Sequence, residues 1–213
     1  MLKFDLLSDK QLGEITAYIA GLEWEDGKDT AIGTAKDIKN NKQITTLNAR
    51  AVPLFNDILK IFNNNKLTHY AAINKVLSPR VARYGPGQYY GWHVDLAIID
   101  GFRSDISFTI FLNDDYEGGE LELQEGSSII KVRGKAGQVV TYPTSLLHRV
   151  TEVTKGERLV IVGWINSHIR SHDDRMGLYN LNKVMEMMDP IVDEKKLNYC
   201  RQIFQHFRRT TSS

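Results

Sequence analysis

The chain has 213 residues, of which 42% are hydrophobic and 25% are charged, and its formal net charge is +1. These values are typical of a soluble globular protein with one domain of ordinary size. A net charge this small provides no strong field for nucleic acid or for a membrane surface, so neither is an expected partner. No apolar stretch reaches the roughly 20 residues that a membrane-spanning helix needs.

Cys200 is the only cysteine, so the chain cannot form an internal disulfide. The first residues, MLKFDLLSDK, lack the long apolar run and small-residue cleavage site of a signal peptide. Both features predict a reducing, cytoplasmic location. The sequence leaves the oligomeric state open.

Two helices are predicted in residues 1–66. Ser8 and Gln11 have the spacing of a capping box, and the apolar residues that follow recur at helical intervals. Residues 24–42 are polar and contain glycine, which predicts a strand and a loop. A second helix with one apolar face is predicted from Asn48 to Asn63. We expect these helices to pack on one outer face of the remaining domain.

From residue 67 the apolar period changes to two. Short apolar segments follow one another up to residue 167, separated by Gly, Pro, Asn and Asp. Many short strands without intervening helices are typical of an antiparallel sandwich or barrel. Helical periodicity returns in residues 173–189 and 193–209. The sequence therefore predicts an α+β protein with an N-terminal helical segment (1–66), a β-core (67–170) and a C-terminal helical extension (171–213).

The stretch RYGPGQYYGWHVDLAI places His93 and Asp95 two positions apart at the end of an aromatic strand. Residues two apart in a strand point to the same side, so the two side chains are expected to project together. The pair fits a simple ion pair, an acid–base dyad or two ligands of one metal ion. The triplet alone does not choose among these three alternatives.

A second histidine narrows the alternatives. His148 follows a turn that contains Pro143 and Ser145, and it opens another strand of alternating apolar residues. Strands that are distant in sequence face one another across a rolled-up sheet, so His93, Asp95 and His148 are expected to converge. Two imidazoles and one carboxylate on one side of a metal suit Fe(II) and leave positions open for a cosubstrate and O₂. The same residues also suit a catalytic zinc ion, so a zinc hydrolase stays open.

Arg158 lies ten residues after His148 and opens the strand RLVIVGW, which is apolar on both faces apart from this arginine. We expect the strand to be buried on both sides, and an inward guanidinium then needs a partner. The partner is either a small-molecule carboxylate, held bidentately, or an internal Asp or Glu. Tyr84, nine residues before His93, either reaches the same carboxylate through its hydroxyl or packs on Pro86 at the rim.

The order of these motifs resembles that of the non-haem Fe(II)/2-oxoglutarate dioxygenases. It is more narrowly similar to the prolyl 4-hydroxylase-like group and, within that group, to the bacterial PKHD-type hydroxylases. The resemblance spans about residues 80 to 170, in the motifs RYGPGQYYGWHVD, RSDISFTIFLND, YEGGELEL and GQVVTYPTSLLHRVTEVTKGERLVIVGWINS. It implies a double-stranded β-helix (jelly-roll) core with flanking helices at the N-terminus and the C-terminus.

The resemblance also implies roles for the candidate residues. His93, Asp95 and His148 match the catalytic iron ligands, Arg158 matches the residue that binds the distal carboxylate of 2-oxoglutarate, and Tyr84 matches a tyrosine that often helps it. The implied cofactors are Fe²⁺, 2-oxoglutarate and O₂, with ascorbate as an optional addition. Arginine rather than lysine at position 158 favours the PKHD-type branch.

The implied reaction is hydroxylation of an unactivated C–H bond with release of succinate and CO₂. The resemblance implies a prolyl or other residue of a peptide as substrate, with a small molecule as the other class. Tyr89, Tyr90 and Trp92 would suit stacking on a proline ring at the mouth of the site. The alternative from a different functional class is a non-catalytic, metal-dependent binding or sensor module with the same fold.

Overall fold

Two antiparallel β-sheets pack face to face in the computed structural model, which describes residues 1–31, 33–63 and 65–212. Within these residues the larger sheet has the spatial order β1 (Leu2–Asp5), β13 (Gln138–Pro143), β9 (Ile106–Phe111), β16 (Arg158–Ser167), β5 (Ile73–Tyr84), β4 (Lys42–Ile44) and β2 (Glu25–Asp26). The smaller sheet has the order β12 (Ser128–Val132), β11 (Leu121–Glu125), β14 (His148–Val150), β6 (Tyr89–His93) and β3 (Lys39–Asn40).

Two short strand pairs and the helices surround these sheets. The pairs are β7 (Ile98–Ile99) with β8 (Phe102–Arg103), and β10 (Glu117–Gly118) with β15 (Val153–Lys155). The α-helices are α1 (Asp9–Ala20), α2 (Val52–Asn63), α3 (Leu67–Ala71), α4 (His172–Met188) and α5 (Glu194–Thr211). In the described part of the chain, none of these helices has the length and apolar character needed to span a membrane.

The larger sheet is buried on both faces. Successive residues of a strand point to opposite sides, so its central strands contribute to two separate hydrophobic clusters. Val160 and Ala82 pack against residues of the smaller sheet, while Ile161 and Val81 pack with α1 and α2. The prediction that the strand beginning at Arg158 is buried on both sides is therefore confirmed. The gap between the two sheets is the place where the polar candidate residues lie.

The first helix begins as the sequence predicts. The Ser8 hydroxyl accepts a hydrogen bond from the Gln11 backbone N–H, and the Gln11 side chain accepts one from the Ser8 backbone N–H at 2.9 Å. This reciprocal capping satisfies backbone donors that have no partner inside the helix. At the other end of the chain, Leu178 of α4 packs against Ile169 and Ala72, which joins the C-terminal helices to the core.

The segment 1–66 contains strands as well as the expected helices. β1 lies at one edge of the larger sheet and pairs with β13, so residues 2–5 belong to the β-core. β3 pairs with β6 of the smaller sheet, while β4 pairs with β5 of the larger sheet. Because β3 ends at Asn40 and β4 begins at Lys42, the chain changes sheets at Asn41. The short lengths of these strands leave little periodic signal in the sequence.

Residues 67–71 form a helix, whereas the sequence analysis expects the first strand to begin at residue 67. The buried residues of this turn are Leu67, Tyr70 and Ala71, at helical spacing of three and four. That spacing places all three on one face of a helix, where they reach the core. The first core strand, β5, begins at Ile73.

Gly134 provides a test of how tightly the core is packed. A Cβ at this position would overlap the ring of Phe111, which is fully buried beside Arg158. We expect Gly134→Ala to lower the free energy of unfolding by about 1–3 kcal/mol, because the ring has no room to move away. Urea unfolding measures the change. The matched control is Gly13→Ala on the exposed side of α1, where nothing lies within 4 Å, and it is expected to stabilise the chain.

Candidate active site

A cavity of about 370 Å³ lies between the two sheets. This volume falls within the range of roughly 300–1,000 Å³ that is usual for small-molecule sites. Its lining includes the five residues predicted from the sequence, which are His93, Asp95, His148, Arg158 and Tyr84. The cavity is therefore the candidate active site.

The three metal-ligand candidates meet on the smaller sheet. β6 and β14 are neighbours, and His93 lies directly opposite His148. Asp95 follows two residues after the end of β6, with its carboxylate oxygens 3.7 Å from His93 Nε2 and 3.5 Å from His148 Nε2. One ligand atom from each residue lies within 4.8 Å of the others. They converge as adjacent strands of one sheet, and not across the interior as the sequence analysis expects.

Both imidazoles are held in one tautomer by the backbone. His93 Nδ1 is 2.8 Å from the Gly91 carbonyl oxygen, and His148 Nδ1 is 2.9 Å from the Leu146 carbonyl oxygen. A carbonyl oxygen only accepts, so each Nδ1 carries a proton, and Nε2 is the nitrogen of each ring that can bind a metal. Burial, together with the neighbouring His148 ring, lowers the pKa of His93 to about 4, which keeps this ring neutral at pH 7.

The carboxylate of Asp95 is also held in place. Ser107 on β9 donates a hydrogen bond from its hydroxyl to Asp95 Oδ2 at 2.8 Å, and its oxygen lies 3.2 Å from the Thr144 hydroxyl oxygen. The two Nε2 atoms and the carboxylate then face one another, with one ligand atom of each residue within 4.8 Å of the others. This donor set fits a metal ion, and two histidines with one carboxylate suit Fe(II).

Arg158 lies on the facing larger sheet and is only 1% exposed. Its Nε and Nη1 atoms have no hydrogen-bond partner among the described residues. The guanidinium carbon lies 5.2 Å from the centre of the Tyr84 ring and 5.5 Å from that of Phe111. No Asp or Glu of the described chain forms an ion pair with Arg158. The alternative in which Arg158 pairs with an internal Asp or Glu is therefore not observed. The guanidinium donors without partners fit a small-molecule carboxylate instead.

Tyr84 lies inside the cavity. It is directly opposite Arg158 in the pairing of β5 with β16, and it is 4% exposed, whereas Pro86 is exposed. Burial raises the pKa of Tyr84, and the charge of Arg158 opposes this effect only in part. The phenol therefore stays protonated and keeps a hydrogen-bond donor beside the guanidinium of Arg158. The alternative of a rim tyrosine is wrong.

Gly119 explains the motif YEGGELEL. Its φ of +63° lies in the left-handed region, and a Cβ there would lie 3.1 Å from Arg158 Cδ and 2.9 Å from Val153 Cγ2. The glycine therefore leaves room for the arginine stem. The sequence analysis leaves open how far this motif lies from the metal-ligand candidates, and the structure places Gly119 against Arg158.

The mouth of the cavity is formed in part by the segment that follows His93. Val94, Leu96 and Ile98 line the cavity and are each more than half exposed. β7 and β8 form a hairpin through Asp100 and Gly101 in the same segment. Of the three aromatic residues predicted near the mouth, Tyr90 lines the cavity and stacks on His93 with ring centres 3.6 Å apart. Apolar side chains therefore surround the opening.

Two basic residues of the cavity, one buried and one half-buried, are missed by the sequence analysis. Lys39 is 6% exposed, and its Nζ donates to Thr30 Oγ1 at 3.0 Å and to Gln43 Oε1 at 3.3 Å. Arg80 packs over the Trp164 ring at 4.8 Å from the ring centre. Both residues line the cavity. Lys39 lies in a polar, glycine-containing stretch without periodicity, so the sequence carries no signal for it, while Arg80 shares one face of β5 with Tyr84.

The comparisons with known proteins agree with this geometry. The model of the 2OG-Fe(II) oxygenase superfamily matches residues 79–166. The chain is 38% identical to a PKHD-type hydroxylase of Alteromonas mediterranea over 193 residues, which cover 86% of this chain and 85% of the relative.

Two solved structures share the fold, each at 18% sequence identity. An oxidoreductase of the 2OG-Fe(II) oxygenase family from Burkholderia pseudomallei gives a TM-score of 0.59 and covers 76% of this chain and 81% of its own. A prolyl-4-hydroxylase from Pseudomonas putida gives a TM-score of 0.54 and covers 78% of this chain and 91% of its own. The predicted α+β fold class, with an antiparallel β-core and flanking helices, is confirmed.

The two-sheet fold and the superfamily match define an oxygenase that uses Fe²⁺ and 2-oxoglutarate. The chain belongs to the PKHD-type hydroxylase family.

The burial of Lys39 predicts a pH-dependent effect on stability. Burial, with the charge of Arg80 adding to it, lowers the pKa of Lys39 from 10.5 to about 7. Between pH 7 and pH 10.5 the unfolded chain therefore binds a proton that the folded chain does not, so this lysine destabilises the fold most at low pH. We expect Lys39→Met to stabilise the chain at pH 6, and the gain to shrink by roughly 2 to 3 kcal/mol at pH 9.

Urea unfolding of both proteins at pH 6 and pH 9 measures this gain. The control is Lys60→Met on the exposed side of α2, which is expected to show no such change with pH. A gain that is equal at the two pH values would show that Lys39 has an ordinary pKa in the folded protein.

Proposed function

We propose that this protein hydroxylates an unactivated C–H bond, in a prolyl or other residue of a peptide, with conversion of 2-oxoglutarate and O₂ to succinate and CO₂. The observation that carries the proposal is the His93–Asp95–His148 cluster facing an unpartnered, buried Arg158 across one cavity. When bound, iron supplies the oxidation chemistry, and the chain supplies binding, orientation and exclusion of water.

His93, Asp95 and His148 are the proposed iron ligands. The carbonyl groups of Gly91 and Leu146 fix which nitrogen of each imidazole is free to bind the metal. Such carbonyl partners set the ring orientation of metal-binding histidines and raise their basicity. The Ser107 hydroxyl bond to Asp95 Oδ2 leaves Oδ1 as the carboxylate oxygen without this hydrogen bond.

Arg158 is the proposed anchor for the distal carboxylate of 2-oxoglutarate, with Tyr84 donating a further hydrogen bond. Among the described residues, Nε and Nη1 of this buried guanidinium have no partner, so its N–H donors are free to hold a carboxylate. The requirement for this anchor also argues against a zinc hydrolase, since hydrolysis does not need a site for a second, dicarboxylate ligand. The pairing of Arg158 with Tyr84 across β16 and β5 holds the two donors side by side.

A peptide substrate is supported by the open, apolar mouth formed by Val94, Leu96 and Ile98. The Pseudomonas putida prolyl-4-hydroxylase, which has the same fold, gives the prolyl residue as the substrate to test first. Succinate release from 2-oxoglutarate with Fe²⁺ and ascorbate, in the presence of proline-containing peptides, tests turnover. A product heavier by one oxygen identifies the substrate. Metal binding without any succinate would favour the non-catalytic binding module.

Removal of the Asp95 carboxylate tests the metal site. We expect Asp95→Ala to abolish both iron binding and turnover, because two neutral imidazoles alone leave the cation without a charged ligand. Iron binding is measured by calorimetry without O₂, and turnover by succinate release. The control is Asp57→Ala, which removes an exposed carboxylate from α2 and is expected to change neither quantity. Full iron affinity in Asp95→Ala would remove this residue from the site.

Arg158→Gln tests the 2-oxoglutarate anchor. Charge-assisted hydrogen bonds contribute about 1.5–3 kcal/mol, so we expect the KM for 2-oxoglutarate to rise by about 10- to 100-fold while iron binding is retained. The matched control is Arg83→Gln, which removes an arginine from the other side of β5, where it pairs with Glu157 at 3.6 Å. An unchanged KM in the Arg158 variant would show that the cosubstrate binds elsewhere.

A further inference from the structure

We propose that the cavity contains a second anion-binding subsite, formed by Lys39 and Arg80, that binds a carboxylate of the substrate. This inference rests on the proposed function, because it places the substrate in the same cavity as iron and 2-oxoglutarate. It adds a substrate class, which is a molecule that carries a carboxylate close to the C–H bond that reacts.

Arg80 lies at the opposite end of the cavity from Arg158. It precedes Tyr84 by four residues on one face of β5, so their Cα atoms are roughly 13 Å apart along the strand. Its side chain also leans away from Arg158, because the guanidinium packs on Trp164 and its Nε donates to the Ser78 carbonyl at 3.4 Å. Arg80 is half-buried and lines the cavity.

Lys39 reaches the same cavity from the smaller sheet. It lies opposite Tyr90 in the pairing of β3 with β6, and its Nζ is 5.2 Å from the centre of the Tyr90 ring. Tyr90 in turn stacks on His93. The ammonium is therefore one aromatic ring away from a proposed iron ligand. Lys39 and Arg80 both line the cavity, and the charge of Arg80 adds to burial in lowering the pKa of Lys39.

Burial lowers the pKa of both Lys39 and Arg80, and the charge of Asp95 opposes this effect only in part. Within the described residues, neither Lys39 nor Arg80 has a carboxylate oxygen within 4.0 Å. Asp26 pairs with Lys42 at 3.5 Å, and Asp100 accepts hydrogen bonds from the Ser78 backbone N–H and hydroxyl. Asp95 belongs to the proposed iron site. When Lys39 is protonated, two positive charges face one cavity, and this arrangement destabilises the protein unless an anion joins them.

Neutral polar groups beside the cations point to the same conclusion independently. Asn41 is 2% exposed, and among the residues that the structure describes neither atom of its amide has a hydrogen-bond partner, nor does Nε2 of the fully buried Gln43. The indole N–H of Trp164 is also without a partner. All three side chains line the cavity. Each such unmade bond lowers stability, and a ligand with oxygen acceptors and an N–H or O–H donor would satisfy these groups.

The 2-oxoglutarate bound by Arg158 cannot serve as this anion. Four C–C bonds of about 1.5 Å each give a five-carbon diacid a span of at most roughly 6 Å. In its proposed place, one carboxylate lies on Arg158 and the other end lies at iron, so neither carboxylate is free for Lys39 and Arg80. A second ligand must therefore provide the carboxylate for Lys39 and Arg80, and the substrate is the ligand that has to lie beside the iron.

Two pairs of probes test the subsite and separate the sources of the carboxylate. N-acetylproline against N-acetylprolinamide tests a carboxylate on the reacting residue itself. The blocked dipeptide N-acetyl-prolyl-aspartamide, with a free side-chain carboxylate, against its asparagine counterpart tests an acidic neighbour. Binding is measured by calorimetry on the whole protein loaded with Zn²⁺, which has no redox chemistry, and with 2-oxoglutarate. Circular dichroism checks that each variant is folded.

We expect at least one acid to bind ten-fold or more tightly than its amide. Arg80→Gln and Lys39→Gln should each remove most of this preference and leave 2-oxoglutarate affinity unchanged, while Arg80→Lys retains part of it. Arg83→Gln is the control and should keep the full preference. Equal binding of acids and amides, absence of binding by all four probes, or loss of 2-oxoglutarate affinity in Arg80→Gln would overturn the subsite. Failure of the proposed function would appear separately, as wild-type protein that binds neither metal nor 2-oxoglutarate.

Discussion

The pairing of β6 with β14 is the constraint on which the candidate site depends. It places His93 and His148 directly opposite each other, and in each case the imidazole donates to the carbonyl of the residue two positions earlier. Register in a sheet with one buried face is strongly fixed, because a slip by one residue turns every side chain to the other face. Strand pairing therefore sets the position of the two proposed ligands, and nearby backbone carbonyls set which ring nitrogen carries the proton.

The two sheets contribute different chemistry to the cavity. His93 and His148 of the smaller sheet, together with Asp95 just after β6, form the cluster of possible metal ligands. The larger sheet carries Arg80 and Arg158, which form no ion pair with an acidic residue of the described chain. Such uncompensated polar groups lower stability, and proteins tolerate them where function requires them. Here the other face of the larger sheet packs against α1 and α2 in an extensive hydrophobic cluster. The stabilising and the functional faces of the same strands are thus separate.

Several helices and strands, and the buried position of Arg158, could be predicted from the sequence for physical reasons. Helical and strand periods are long in α1, α2 and β16, and a buried lone arginine is conspicuous in the apolar strand that Arg158 opens. The pairing of β6 with β14 could not be predicted, because strand order depends on contacts between segments that are distant in the sequence. The burial of Lys39 could not be predicted, because a strand of two residues shows no periodic pattern. Its burial depends on Thr30 and Gln43, which come from other elements.

The change of sheet at Asn41 has a further consequence. The strip from Lys39 to Gln43 closes one flank of the sandwich, and it carries three of the groups that face the proposed substrate. It lies outside residues 79–166, which hold every proposed contact to iron and 2-oxoglutarate. Substitutions between Lys39 and Gln43 can therefore change which substrate binds, while the residues proposed to hold iron and 2-oxoglutarate stay the same.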